Sequence, residues 1–337
     1  MRGMKAFVVE RYGPPDVLQM KDVPLPTPRA DEVRIRVHAT TVSSGDWRMR
    51  SLEVPPGFGL IIRLIAGFRR PRQPILGMEL AGVVEALGRD VDRFRVGDAV
   101  IGFSDAAMGC HAEYCCLPAA GTVAPKPSHL SFEAAAALCF GGTTMLDYFR
   151  RAGLRPGERV LVNGASGAVG TAAVQLARHW GADVTGVCSG ANLDLVRSLG
   201  ARQVIDYTRE DFTQRGEVYD VIVDAVGTAP LARCRRSLKP GGRLLLLVAG
   251  LPDLMLSGWH SWISRRRVLA GPASARAEDV ATLAALAEAG AFEPVIDRCY
   301  PFAQMVEAHR YVDTGHKRGN VVITLAGMAP ALAGYGM

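Results

Sequence analysis

Hydrophobic and polar residues alternate early in the chain and then change period. Val33, Ile35 and Val37 fall on one face of 33–39, with Arg34, Arg36 and His38 on the other, which is the two-residue period of a half-buried strand. Segments 5–10, 82–88 and 94–102 read as further strands, with extended connectors at the proline clusters 14–15 and 24–28. Short strands parted by Gly, Pro and Asp turns predict a mostly β domain to about residue 122. At Ser131 the pattern switches, because a helix N-cap residue leads into an alanine-rich run. Apolar strands at 159–164, 183–188, 203–206, 219–224 and 243–248 then alternate with helical periods at 168–180, 193–199 and near 231–237. Repeated βα units with apolar strands predict a doubly wound parallel sheet covered on both faces, so the fold class is α/β. Residues 268–271 are expected to add an edge strand, 277–290 a helix, and 295–325 strands and a helix that return to the first domain. The tail 326–337 is expected to be disordered.

One stretch organises the second domain. Val160, Leu161 and Val162 form a buried-strand run, Gly164, Gly167 and Gly170 punctuate a turn, and helical periodicity follows from Ala172. A dinucleotide diphosphate needs this order, since glycines admit close backbone approach and a helix N-terminus offers free N–H groups and partial positive charge. Gly164, Ser166, Gly167, Ala168, Val169 and Gly170 are the candidate contacts. The spacing departs from GxGxxG, and a helix merely packed close on a strand would also explain it. A hydrolase nucleophile elbow is excluded, because GxSxG would need glycine where Ala168 stands.

Composition narrows the class. The 337 residues are 49% hydrophobic and 21% charged, with a net charge of +6. The basic runs 69–72 and 265–267 are short and lack interleaved aromatics, which argues against a nucleic-acid partner. The 7 cysteines are scattered, with no CxxC, as expected of reduced thiols. No signal peptide is visible, and the apolar run 58–68 is too short to span a bilayer and carries Arg63, so a cytoplasmic protein without a membrane partner is expected.

Motifs along nearly the whole chain carry a family resemblance: Gly77-Met-Glu79, Gly82-Val-Val, Val96-Gly-Asp98, Ala112-Glu-Tyr114 and Pro156-Gly-Glu158. Asn163-Gly-Ala-Ser-Gly-Ala-Val-Gly170, Leu199-Gly-Ala201, Val204-Ile-Asp-Tyr207, Val223-Asp-Ala-Val-Gly227, Leu238-Lys-Pro-Gly-Gly242 and Gly319-Asn-Val-Val322 continue it. The chain resembles the medium-chain dehydrogenase/reductases, and within them the zinc-free quinone oxidoreductase branch. The resemblance implies a discontinuous GroES-like catalytic domain at 1–123 and 273–337, a Rossmann dinucleotide-binding domain at 124–272, and a homodimer. Zinc-dependent members carry catalytic Cys and His ligands and a four-cysteine lobe. Here Val42-Ser-Ser-Gly-Asp46 replaces the first cysteine region, Met78 replaces the histidine, and 90–110 holds only Cys110. No metal is expected, and Glu79 reads as structural.

The strand at 184–188 ends in Ser189-Gly-Ala-Asn192 with no carboxylate for a ribose diol, so NADPH is the expected cofactor. Ser189, Asn192 and Tyr207 are assigned to the 2′-phosphate corner, although Ser189 also reads as a helix N-cap. The basic residue common shortly after that serine is absent. By resemblance, Thr143, Val226, Gly227, Val248 and Asn320 also reach the cofactor. Without zinc, a conjugated carbonyl is the expected substrate, since its enolate needs less stabilisation. Ser43 is the catalytic candidate, with Trp47, Phe58, Phe140, Met255 and Trp259 lining a pocket for a hydrophobic carbonyl compound. His260 reads as a surface-loop residue before it reads as a proton donor. The alternatives are a zinc-free alcohol or aldehyde reductase, and an NADPH-binding protein with little catalysis.

Overall fold

A computed structural model describes residues 3–216, 218–252 and 265–325. The chain opens with the antiparallel pair β1 (Gly3–Val9) and β2 (Leu18–Pro24). Next come β3 (Glu32–Val42), α1 (Ser44–Ser51), α2 (Gly59–Ala66), β4 (Glu79–Leu87), β5 (Ala99–Phe103), β6 (Tyr114–Pro118) and β7 (Val123–Pro125). The central portion runs α3 (Phe132–Ala136), α4 (Cys139–Ala152), β8 (Arg159–Asn163), α5 (Ala168–His179), β9 (Asp183–Cys188), α6 (Leu193–Ser198) and β10 (Gln203–Asp206). It ends with β11 (Tyr219–Asp224), α7 (Leu231–Cys234), β12 (Leu238–Leu246) and β13 (Arg267–Ala270). The return segment is α8 (Ala277–Glu288), β14 (Ile296–Pro301), α9 (Met305–Asp313) and β15 (Asn320–Thr324).

β3 is the hub of the first sheet. It pairs antiparallel with β4, β6 and β15, so the end of the chain closes onto its beginning. Val33, Ile35 and Val37 are buried, as their alternation predicts. The strand continues past the predicted end at 39, because Thr40 and Thr41 are buried rather than solvated. Their hydroxyls donate to Glu79, Thr40 to its carbonyl at 2.6 Å and Thr41 to its carboxylate at 2.5 Å. Residues 94–98 are not strand: Arg95 N–H donates to the Asp98 carboxylate, Gly97 takes φ +98°, and β5 starts only at Ala99.

The second sheet is parallel throughout, in the order β10-β9-β8-β11-β12-β13. The chain winds outward from β8 to β10, crosses back, and winds the other way from β11. The reversal lies between β8 and β11, where open α/β sheets bind ligands beyond their strand ends. Ser131 caps α3 by accepting from Ala134 N–H at 3.2 Å. The alanine-rich helix breaks at 137–138 and resumes as α4, and the predicted 231–237 helix shortens to α7.

α2 stands apart. None of its residues is buried, and Leu60, Leu64 and Ile65 are each more than 60% exposed. The turn before it meets the nucleotide half, with Leu251 N–H donating to Pro56 O at 2.8 Å.

Candidate functional site

The two sheets meet over the glycine turn. Gly319, just before β15, bridges to Gly167, and its N–H donates to Ser166 O at 2.8 Å. Each glycine of the turn has its own reason. Gly164 holds φ +83°, which favours glycine. A Cβ on Gly170 would lie 2.0 Å from Gly164 O, so strand and helix could not approach as they do. A Cβ on Gly167 would meet nothing closer than 3.7 Å, which leaves bare backbone at the start of α5. The N–H groups of Ala168, Val169 and Gly170 lie in that first turn, where helical partners are lacking. Close packing thus explains Gly170, and Gly167 leaves open space suited to an anion. The site fits a dinucleotide.

Asp224, at the end of β11, fixes the opposite wall. Its buried carboxylate accepts from Asn163 Nδ2 at 3.0 Å, Gly227 N–H at 3.0 Å and Ala229 N–H at 2.7 Å. This locks the turn that presents Val226, an apolar side chain left 52% exposed beside Gly164. Gly227 abuts Val248, since a Cβ there would lie 3.2 Å from the Val248 side chain. Thr143 is buried in α4 and donates back to Cys139 O at 2.8 Å. Asn320 is buried too, and its amide donates to Val295 O at 3.1 Å and to Ala137 O at 3.4 Å.

At the end of β9, Ser189 Oγ accepts from Asn192 Nδ2 at 3.1 Å, and the same amide reaches Ser166 Oγ at 3.3 Å. Ser189 precedes the short Gly190–Asn192 turn without capping it through its side chain. Tyr207 is 59% exposed at the end of the neighbouring strand. This end also holds a carboxylate, from β10 rather than β9. Asp206 accepts from Thr208 N–H at 3.0 Å and from Gly190 N–H.

Ser43 lies buried on the floor and caps α1. Its Oγ accepts from Gly45 N–H at 3.2 Å and donates to Asp46 Oδ2 at 2.6 Å, while Asp46 accepts from Ser43 N–H at 2.8 Å. The other Asp46 oxygen accepts from Gly77 N–H at 2.8 Å, pinning the turn before Met78. Met78 and Phe140 converge on α1, since a Cβ on Gly45 would lie 2.6 Å from Met78 Sδ and 3.4 Å from the Phe140 ring. Trp47 is half-buried with the Arg48 guanidinium 5.6 Å from its ring centre, and Phe58 is half-buried at the start of α2. Met255, Trp259 and His260 lie outside the described residues.

Glu79 ties the floor to the nucleotide half. Its carboxyl is wholly buried and accepts from Thr41 Oγ1 and, at 2.6 Å, from Phe140 N–H at the start of α4. Burial pushes it up from an ordinary 4.5 to about 7, against the lowering by those donors. Lys317, half-buried, donates to Gly319 O at 2.6 Å, next to the glycine turn. Burial lowers its ammonium to about 8, while Glu79 and then Asp297 pull it back up. Sequence reasoning missed the roles of Asp46, Asp206, Asp224 and Lys317. The spacing Ser43-x-x-Asp46 signals a capping box, and Asp224 lies within a quoted motif, but only the tertiary fold brings Lys317 here. Among the described residues no group of three or more His, Cys, Asp or Glu is arranged to hold a metal ion.

A reversing parallel sheet, a glycine cradle and a floor supplied by a second sheet define a two-domain nicotinamide-dependent oxidoreductase. The "Alcohol dehydrogenase GroES-like domain" family matches residues 29–128, and the "Zinc-binding dehydrogenase" family matches residues 199–323. The chain is 32% identical to the quinone oxidoreductase of Sus scrofa, over 94% of its own length and 95% of that protein's. It is 31% identical to the 2-methylene-furan-3-one reductase of Solanum lycopersicum, over 95% of this chain and 79% of that one. The solved structure of the quinone oxidoreductase from Coxiella burnetii superposes with a TM-score of 0.84 at 29% identity, covering 96% of this chain and 100% of that one. The chain belongs to the medium-chain dehydrogenase/reductase superfamily, in its quinone oxidoreductase-like branch.

Proposed function

We propose that this protein is an NADPH-dependent, zinc-free reductase that delivers hydride to the β-carbon of a conjugated carbonyl compound, a quinone or an enone. The floor of the cleft carries this reading. Where zinc-dependent members would need thiolate and imidazole donors, Ser43 is spent on a helix cap and Met78 packs against α1 at Gly45. A hydroxyl bound to a carboxylate and a thioether make a poor zinc site. The two relatives named above, a quinone reductase and a methylene-furanone reductase, point to the same substrate class.

When bound, the nicotinamide supplies the hydride. The protein's part is to hold and orient. The start of α5 faces the diphosphate with its N–H groups, and Lys317 adds a cation beside the same turn. Val226 and Val248 offer apolar contact, and Ser189, Asn192 and Tyr207 meet the adenosine ribose. Thr143 and Asn320 act through the backbone they bond, shaping the junction at Ala137 and Cys139. Ser43 acts as a positioning residue, setting α1 and Trp47 against the substrate space that Phe58 and Phe140 border. Among the described residues of the floor, Ser43, Asp46 and Glu79 are each engaged in hydrogen bonds, so in this reading solvent supplies the proton to the enolate.

We assign 1–123 with 273–337 to the catalytic unit and 124–272 to the nucleotide unit. We further propose a cytoplasmic homodimer joined through the nucleotide units. No described helix is long and apolar enough to cross a membrane. The test is nicotinamide oxidation with a quinone and with an aryl enone, on chelator-treated protein, with NADPH and NADH in parallel. Turnover that survives chelation and favours NADPH is expected. Turnover lost on chelation and restored by zinc would overturn the zinc-free reading.

A further inference from the structure

We propose that Arg209 is the cation that selects NADPH in this chain, by leaving Asp206 to grip the 2′-phosphate of the adenosine ribose. The inference rests on the cofactor reading above and deepens it. The corner has two features that work against a phosphate. Ala191 and Asn192 stand where a basic residue after Ser189 would help. In addition, Asp206 pairs in register with Cys188, so its carboxylate lies against the turn that follows Ser189. A Cβ on Gly190 would sit 2.7 Å from Asp206 Oδ2. Left alone, that carboxylate would repel a 2′-phosphate and favour the plain ribose of NADH.

Arg209 supplies the cation that the turn after Ser189 lacks, and its charge offsets the repulsion from the nearby Asp206. Its Nε lies 3.6 Å from Asp206 Oδ2, an ion pair without a hydrogen bond, and its side chain is 86% exposed. Asp206 does not need it. Thr208 N–H and Oγ1 and Gly190 N–H already satisfy the carboxylate, with the Thr208 hydroxyl at 2.7 Å. The guanidinium can therefore move at little cost, as exposed ion pairs contribute little. Its planar fork matches a phosphate in two hydrogen bonds. Exposed Tyr207 and half-buried Ser189 flank the same corner. The competing cation is Arg197, which acts on Cys188 but is held by Asp194 at 2.8 Å.

The experiment measures binding rather than turnover. NADPH and NADH are titrated into the full-length protein by fluorescence, with adenosine 2′,5′-bisphosphate and 5′-AMP as competitors. Wild type is compared with Arg209→Gln, Arg209→Lys and Arg197→Gln. Arg209→Gln is expected to weaken NADPH and the bisphosphate by tenfold or more, roughly the value of one or two hydrogen bonds to a charged group, and to leave NADH and 5′-AMP unchanged. Arg209→Lys should fall between, keeping the charge and losing the fork. Equal loss for both cofactors, no loss for either, or the selective loss appearing in Arg197→Gln would overturn the inference. A wild type that binds NADH as tightly as NADPH would overturn the cofactor reading itself, and this is seen before any variant is made.

Discussion

Replacing Glu79 by glutamine tests what the floor of the cleft is built from. Glu79 is wholly buried, and its carboxyl is pushed from 4.5 to about 7 mainly by that burial. A carboxyl with a folded-state value above its unfolded one binds more protons when folded. Its contribution is therefore fully present below about pH 4.5 and is lost as the pH rises through about 7. At about 1.4 kcal/mol per pH unit, the interval corresponds to roughly 3 kcal/mol, of which wild type has lost most by pH 8. Glutamine keeps both contacts without ionising: its carbonyl can accept from Phe140 N–H and its amide can donate to Thr41. His309, buried and held well below its ordinary 6.5, gives the opposite slope as the pH rises toward 6.5. That slope is common to both proteins and cancels in their difference. Lys317, lowered from 10.5 to about 8, acts only at higher pH. Urea unfolding of both proteins across this range gives the difference curve. Glu79→Gln should gain on wild type as the pH rises from 4.5 to 7, by up to about 3 kcal/mol, and stay level to pH 8. A flat difference would refute a neutral, buried carboxyl at the floor.

Other perturbations separate structure from chemistry. Gly170→Ala places a methyl 2.0 Å from Gly164 O, so it should cost roughly 1–3 kcal/mol by thermal denaturation and weaken NADPH in a titration. Asp313→Ala strands the Arg50 guanidinium, whose side chain is fully buried 2.6 Å from Asp313, and should cost about 3 kcal/mol in urea unfolding. Leu64→Lys on α2 changes a side chain that is 61% exposed, so the unfolding free energy in urea should change by no more than about 0.5 kcal/mol.

The parallel sheet was legible because its strands are covered on both faces and centre on short apolar runs. β9, β10 and β11 fall where those runs predict. Local rules also found the Ser131 cap and the β3 alternation. Reading failed where tertiary contacts override local pattern. Thr40 and Thr41 look like a strand end but are buried by their bonds to Glu79. The apolar run predicts a strand at 243–248, yet β12 begins at Leu238 with a register shift against β11. The site divides the same way. The glycine cradle has a local cause and could be read from spacing. The Asp206 carboxylate reaches the end of β9 from another strand, and Lys317 reaches the glycine turn from the returning end of the chain, so neither spacing nor periodicity exposes them.

The position of the transferred hydride tests the central claim most directly. An α,β-unsaturated ketone is reduced with NADPH carrying deuterium at the transferable position of its nicotinamide, and the product is analysed by NMR. The account predicts a saturated ketone with deuterium on the β-carbon and a solvent-derived proton on the α-carbon. Deuterium on the carbinol carbon of an allylic alcohol would contradict it and make the protein a carbonyl reductase.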